Sequence, residues 1–247
     1  MKPPRQRARP PRPGELDGAL VMAFPLRGEW MAVTTPAHRV PSHGTEVLGQ
    51  RYAFDFVMPD RRPGLHLHPA GTLRSYLIGG RTRDVYGWGQ PVHAMAPGEV
   101  VTVVDDVEER QWLHVVREAF LALRNALTFE PTPEVVRRLA GNHVIVRHAA
   151  AHTFLAHLAP GSIEVRPGDR VAEGEILGRV GHTGNSTLPH LHVQLMDGPD
   201  PLVGDAVPLA FERYEVLRGG RWERVERGIP RRRERIRSID PSAEDRG

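Results

Sequence analysis

The tripeptide His190-Leu191-His192 stands between the run Gly181-His182-Thr183-Gly184-Asn185-Ser186-Thr187-Leu188-Pro189 and the continuation Val193-Gln194-Leu195. Read as a strand, it requires a sheet with two chemically different faces. Side chains two apart on a strand share a face, so both imidazoles project to one side while Leu191 turns into a core. One ring can then bind a metal ion and its neighbour can handle protons. The chain has no cysteine, which removes disulfides, thiolate nucleophiles and cysteine zinc ligands together. Any metal must therefore be held by histidines and carboxylates.

The surrounding pattern predicts many short strands. Twenty-five glycines and 23 prolines in 247 residues, with 6% aromatic content, leave little room for long elements. Strand patterns fall at 21–24, 30–33, 51–58, 91–104, 143–148, 153–158 and 171–180, with a hairpin over 211–225. A convincing helix is carried by Trp112, Val115, Val116, Ala119, Phe120, Leu123, Ala126 and Leu127 at three-four spacing. Pro131 and Pro133 stop it, and 133–139 adds a short second helix. The reading is a mainly β chain: a disordered leader over 1–18, a single domain over 19–230 with a helical insert at 108–140, and a basic disordered tail over 231–247.

Charge narrows the partners. The formal net charge is +3, and apart from Lys2 every cationic side chain of the Lys/Arg class is arginine. Arginines cluster in 1–12 and 231–237, a pattern that favours solvated tails over an anionic partner. With no aromatic interleaving and no recognised motif, a specific nucleic-acid partner is not expected. No stretch approaches a membrane span. The basic N-terminus is broken by prolines and makes a poor signal peptide, so the default location is cytoplasmic, with an extracytoplasmic one if the start lies elsewhere.

Asp55 is the other unusual position, a carboxylate set between Phe54 and Phe56 in a strand pattern. A buried strand does not accept such a charge without a partner or a metal.

Five motifs then occur in fixed order: 91–101 (PVHAMAPGEVV), 141–148 (GNHVIVRH) with 153–158 (TFLAHL), 165–174 (VRPGDRVAEG), 181–186 (GHTGNS) and 189–192 (PHLH). Together they resemble the lysostaphin-type (LytM-like) zinc metallopeptidase family, over about 52–195. The resemblance implies a compact antiparallel β-sheet or sandwich whose groove holds a single Zn2+. It implies Asp55 and His192 as metal ligands, His190 as the catalytic histidine and His157 as the second histidine beside the metal. It also implies amide hydrolysis in peptide stems or cross-links of bacterial cell wall, so the expected partner is a peptide or peptidoglycan substrate.

One position departs from the family pattern. Four residues before Asp55, where the family places a histidine ligand, stands Arg51, which has no lone pair to offer a metal. His43, in the turn 42–45, is the expected replacement, with His38 as a fallback. Arg51 is then free to bind a substrate carboxylate. The opposing reading leaves His43 as a surface turn residue and the chain as a non-catalytic LytM-like binding or regulatory module with a degenerate metal site. Of the remaining histidines, His66 and His68 lie in a loop, His148 and His152 are expected exposed, His93 to border the groove, His182 to shape its loop, and His114 to carry no ligand role.

Overall fold

A computed structural model describes residues 8–12, 14–62, 64–69, 78–127 and 130–239. Residues 1–7, 13 and 240–247 lie outside that description, and with them parts of the expected leader and tail. The side chains of Val115, Ala119, Leu123, Ala126 and Leu127, which carry much of the helical pattern, lie outside it too.

The fold is mainly β with a helical insertion. β1 (Leu20–Ala23), β2 (Glu29–Thr34) and β3 (Phe54–Val57) are followed by β4 (Gly80–Arg81), β5 (Pro91–His93), β6 (Gly98–Val104) and β7 (Trp112–Leu113). Helices α1 (Val115–Leu127) and α2 (Pro133–Ala140) come next, then β8 (Asn142–Arg147) and β9 (His152–Leu158). The chain continues through β10 (Arg170–Val171), β11 (Ile176–Arg179), β12 (Leu191–Met196), β13 (Ala206–Val207), β14 (Leu209–Arg218), β15 (Arg221–Gly228) and β16 (Arg235–Ser238). The large sheet runs β1-β14-β16-β2-β3-β12-β9-β8-β6-β10, with β13 on β12 and β15 on β14. Its pairings are antiparallel except β1 with β14, which is parallel.

One face of this sheet carries the core. Trp30, Phe54, Phe56, Leu155, Leu191 and Phe211 are all fully buried there. Phe24 meets Phe56 and Phe211 edge-on, with ring centroids 5.0 and 5.3 Å away. Each such side chain contributes roughly 1.5–3 kcal/mol on burial. Leu191 enters this core, as the His-Leu-His alternation predicts. The opposite face of β3, β12 and β9 carries Asp55, His192 and Gln194 beside a smaller apolar cluster of Ala140, Ile145, Phe154, Ala156 and Met196.

Local chemistry sets the helical insert. Thr132 caps α2 by accepting from the Val135 backbone N–H, and Pro133 occupies the first turn, where its missing N–H costs nothing. α1 begins at Val115, three residues after the helical pattern, because Trp112 and Leu113 pair with Arg81 and Gly80 instead. The strand expected from Arg51 begins at Phe54: Leu48 and Gly49 adopt left-handed φ of 61° and 68°, and Val47–Tyr52 winds into a 3-10 segment.

The basic tail is corrected by the structure. Arg235–Ser238 is a strand inside the large sheet, between β14 and β2. Ile236 is fully buried, while Arg235 and Arg237 reach Glu29 and Glu215. At the other end, Arg9 bridges to Val40 and pairs with Glu15. These arginines are matched to carboxylates within the fold. Ile236→Ala is expected to destabilise by about 2–5 kcal/mol, as for other buried large-to-small changes. A denaturation midpoint that does not move would mean that β16 adds nothing to the sheet.

Candidate metal centre

The centre is assembled from the middle of the sheet. Asp55 on β3 lies directly opposite His192 on β12, which lies opposite Ala156 on β9, so all three share the polar face. Phe54 and Phe56 turn the other way into the core, which explains a carboxylate set between two aromatics. His43 arrives from the turn before β3: its Nε2 is 2.9 Å from Asp55 Oδ2. His192 Nδ1 is 3.0 Å from Asp55 Oδ1. The ligand atoms of His43, Asp55 and His192 lie within 4.8 Å of one another.

Hydrogen bonds at the far side of each ring fix where its lone pair points. Gln194 Nε2 donates to Leu48 O at 2.7 Å, so its Oε1 accepts from His192 Nε2–H at 2.8 Å. His192 Nδ1 is then unprotonated and faces Asp55. Ser42 Oγ donates to Gln50 O and accepts from His43 Nδ1–H, both at 3.1 Å, which turns His43 Nε2 inward to Asp55. Both ring nitrogens stand within hydrogen-bond distance of the Asp55 carboxylate, and once deprotonated they can turn their lone pairs on a cation bound between them. Two imidazoles and one carboxylate match the donor set that would hold zinc. Outward nitrogens spent as donors are the usual partners of metal-binding histidines.

His190 and His157 flank this cluster. His190 Nε2 is 3.4 Å from Asp55 Oδ1, and its Nδ1 donates to Leu188 O at 2.7 Å. His157 Nδ1 donates to Thr183 O at 3.0 Å, and its ring centroid is 4.6 Å from that of His190. Regular alternation along β9 would send His157 into the core beside Leu155. Instead the pairing of β8 with β9 skips one residue at His157, a bulge, and φ there is 64°. That left-handed backbone costs roughly 1–2 kcal/mol for a non-glycine residue. It turns the ring onto the polar face, as bulges beside functional sites do.

Electrostatics follow burial and neighbours. Burial pushes the Asp55 carboxyl up, but the adjacent His43 and His190 outweigh it and hold the group well below the usual carboxylate range. Burial lowers His192, and burial together with His190 and His192 lowers His157 far below an ordinary imidazole. His190 moves the other way: burial is outweighed by the Asp55 charge, which raises it. The centre opens into a cavity of about 250 Å³ whose flanks include Leu48, Val136, Leu139 and Phe154. Val136 and Leu139 come from α2, so the insert forms part of the cavity wall.

Other expectations resolve differently. Arg51 does not face the cavity: it pairs with Glu15 at 2.8 Å and with Glu46, and its Nε donates to the Tyr52 hydroxyl. The position vacated by a histidine is thereby used to fasten the N-terminal segment. His93 is directed at Gly174 O and does not line the cavity. His148 and His152 are half-buried, with His148 held by Pro97 O and Thr153. His38 is exposed, and His68 lies near Asp84 and Gly80. His114 is half-buried and outside the cluster. Ser42, Gln194 and the bulge at His157 were not foreseen. Gln194 alone carried a signal, since it shares the face of His192 two residues earlier.

A half-buried carboxylate ringed by imidazoles, on one face of a mainly β sheet, makes a histidine–carboxylate cluster able to hold a metal ion. Residues 132–203 match Peptidase family M23. Over 58 residues the chain is 40% identical to the peptidoglycan DD-endopeptidase ShyA of Vibrio cholerae serotype O1, across 23% of this chain and 13% of that protein. Among solved structures, the catalytic domain of lysostaphin from Staphylococcus simulans is 16% identical with a TM-score of 0.35, covering 77% of this chain and 90% of that one. A zinc-containing peptidase from Vibrio cholerae is 18% identical with a TM-score of 0.37, covering 77% of this chain and 40% of that one. The match at 132–203 and the ordered motifs make this part of the chain similar to peptidase family M23, the lysostaphin-type (LytM-like) peptidases, and the chain spans only a small part of the curated relative it matches.

Proposed function

We propose that the protein is a zinc-dependent endopeptidase that hydrolyses an amide bond in cell-wall peptides. The observation that carries this reading is the approach of His43 to Asp55 at 2.9 Å, which supplies an imidazole nitrogen where Arg51 has none to offer. His43, Asp55 and His192 would hold the ion. Zinc bound there supplies a Lewis acid that acidifies water toward a pKa of about 7 and polarises a carbonyl. His190 is the group poised to take a proton: its Nε2 faces the centre, and the imidazolium that results is stabilised by Asp55. His157, kept neutral by burial, offers a second nitrogen beside it. The apolar flank at Leu48, Val136, Leu139 and Phe154 excludes water from one side of the substrate.

The wall substrate is supported by the function named for the Vibrio cholerae relative. A wall substrate would be met outside the cytoplasm, and the cytoplasmic default has no support of its own. Among the described residues no helix is long and apolar enough to cross a membrane. The degenerate-module reading loses its main argument, because the turn at 42–45 brings a histidine to the position that Arg51 leaves empty.

The deciding experiment compares zinc content and peptide hydrolysis in His43→Ala, His38→Ala and His68→Ala. Loss of metal and of hydrolysis is expected in the first alone, since a site left with two protein ligands holds zinc weakly. A His43→Ala protein that keeps a full complement of zinc and the parental rate would sink the proposal.

A further inference from the structure

Behind His190, on the side away from the cavity, lies a buried polar chain that the proposed chemistry does not use. It begins at Glu118 on α1, whose side chain has no solvent exposure and holds Arg110 Nε at 2.7 Å and Arg117 Nη2 at 2.8 Å. Arg110 donates to Gly184 O and Ser186 O, each at 2.9 Å, and its Nη2 stands 3.4 Å from His182 Nε2. His182 is fully buried, and burial with Arg110 alongside pushes it down to about 3. It is therefore neutral, and with Nε2 facing a guanidinium N–H its proton sits on Nδ1. That proton is donated to Ser186 Oγ at 2.9 Å. Ser186 Oγ donates in turn to Leu188 O at 2.6 Å, and Leu188 O also accepts from His190 Nδ1 at 2.7 Å. Each member dictates the direction of the next. The last is a His190 ring whose proton is on Nδ1 and whose Nε2 faces Asp55.

We propose that Arg110, oriented by Glu118, is a positioning residue for His190: it fastens the 182–188 loop so that Ser186 Oγ and Leu188 O hold the ring. Both residues lie outside the segment 132–203 matched to the family. The insert thus reaches the centre twice, through α2 at the cavity wall and through α1 behind His190. Arg110 suits the task because its planar fork reaches two carbonyls and a ring nitrogen together, while its Nε stands 2.7 Å from the Glu118 carboxylate as an ion pair without hydrogen-bonding alignment. A clamp that served stability alone would leave His190 indifferent to it. The kinetic part of the proposal rests on the peptidase reading, and the spectroscopic part does not.

The test uses the full chain loaded with zinc, with Arg110→Met, Arg110→Lys and the exposed control Phe120→Ala. Two measurements are made: the His190 ring ¹H–¹⁵N signals, and kcat and KM on a cell-wall peptide. Arg110→Met is expected to keep the parental zinc content and a KM within about twofold, and to lose kcat by roughly 10–100-fold, the usual range for groups that orient a functional histidine. Its His190 Nδ1–H should exchange faster with solvent and its ring signals should shift. Arg110→Lys should recover part of both effects, and Phe120→Ala should change neither. Should Arg110→Met fail to fold because the buried Glu118 is left with Arg117 alone to offset its charge, the double variant with Glu118→Gln takes its place. A folded variant with parental ring signals and parental kcat overturns the proposal. Absence of hydrolysis in the parent protein sinks the peptidase reading instead, and the ring signals then decide the role of Arg110 by themselves.

Discussion

Asp55→Asn should leave the protein folded and unable to retain zinc. The substitution keeps the shape and one carbonyl oxygen, so the neighbours of Asp55 in the sheet are undisturbed. What it removes is the only carboxylate among the three proposed ligands, a side chain only 13% exposed, and with it the charge that offsets a divalent ion. His43 and His192 alone make a two-ligand site. After dialysis against a chelator the parent is expected to keep its zinc and the variant to contain essentially none. The same difference should appear in stability, because a ligand that binds only the folded state stabilises it by RT ln(1 + [L]/Kd), about 4 kcal/mol at a thousandfold excess over Kd. Added zinc should therefore raise the parental unfolding temperature and leave that of Asp55→Asn where it was. A variant that still holds stoichiometric metal after the chelator would show that the carboxylate is not a ligand.

His190→Ala separates binding of the ion from use of it. The ring stands 3.4 Å from Asp55 and outside the three-ligand group, so zinc content should match the parent. Turnover should fall by about 10²–10⁴-fold, the usual contribution of a positioned acid–base group. The loss should appear in kcat, because the ring handles a proton in the transition state and adds little to ground-state binding. Cleavage at the parental rate would remove His190 from the chemistry. Loss of metal would make it a ligand and reassign the site.

Much of the centre was legible in the sequence because it depends on alternation. His192 and Asp55 fall on one face by the period-two rule, and Leu191, Phe54 and Phe56 fall on the other. His43 was reachable by counting ligands once Arg51 was recognised as unfit. The orientation of each ring was not legible, because it depends on contacts distant in sequence: Gln194 with Leu48, and Ser42 with Gln50. His157 could be named from its motif, but the bulge that aims it breaks the alternation on which strand reading relies. Arg51 turns to Glu15 and away from the cavity, and the proline-rich composition around Glu15 reads as a free leader, so no local pattern announces the pair. β16 was missed for a related reason. Arg-Ile-Arg-Ser offers a single apolar residue, and its arginines read as tail until the carboxylates opposite them are known.

The place of β16 also bears on how the chain is made. A ribosome produces β2 early, yet the strand that closes its outer edge arrives only with Ile236, opposite Trp30. Until then β2 presents a row of unpaired N–H and C=O groups one strand away from Asp55. Contacts of such long sequence separation form slowly. An open edge of this kind is a template for pairing with another chain. Nascent chains crowded on one message thus share a common sticky border, and any version cut before residue 235 carries it permanently. Edge-to-edge aggregation, rather than a quiet loss of activity, is the fate such a truncation invites.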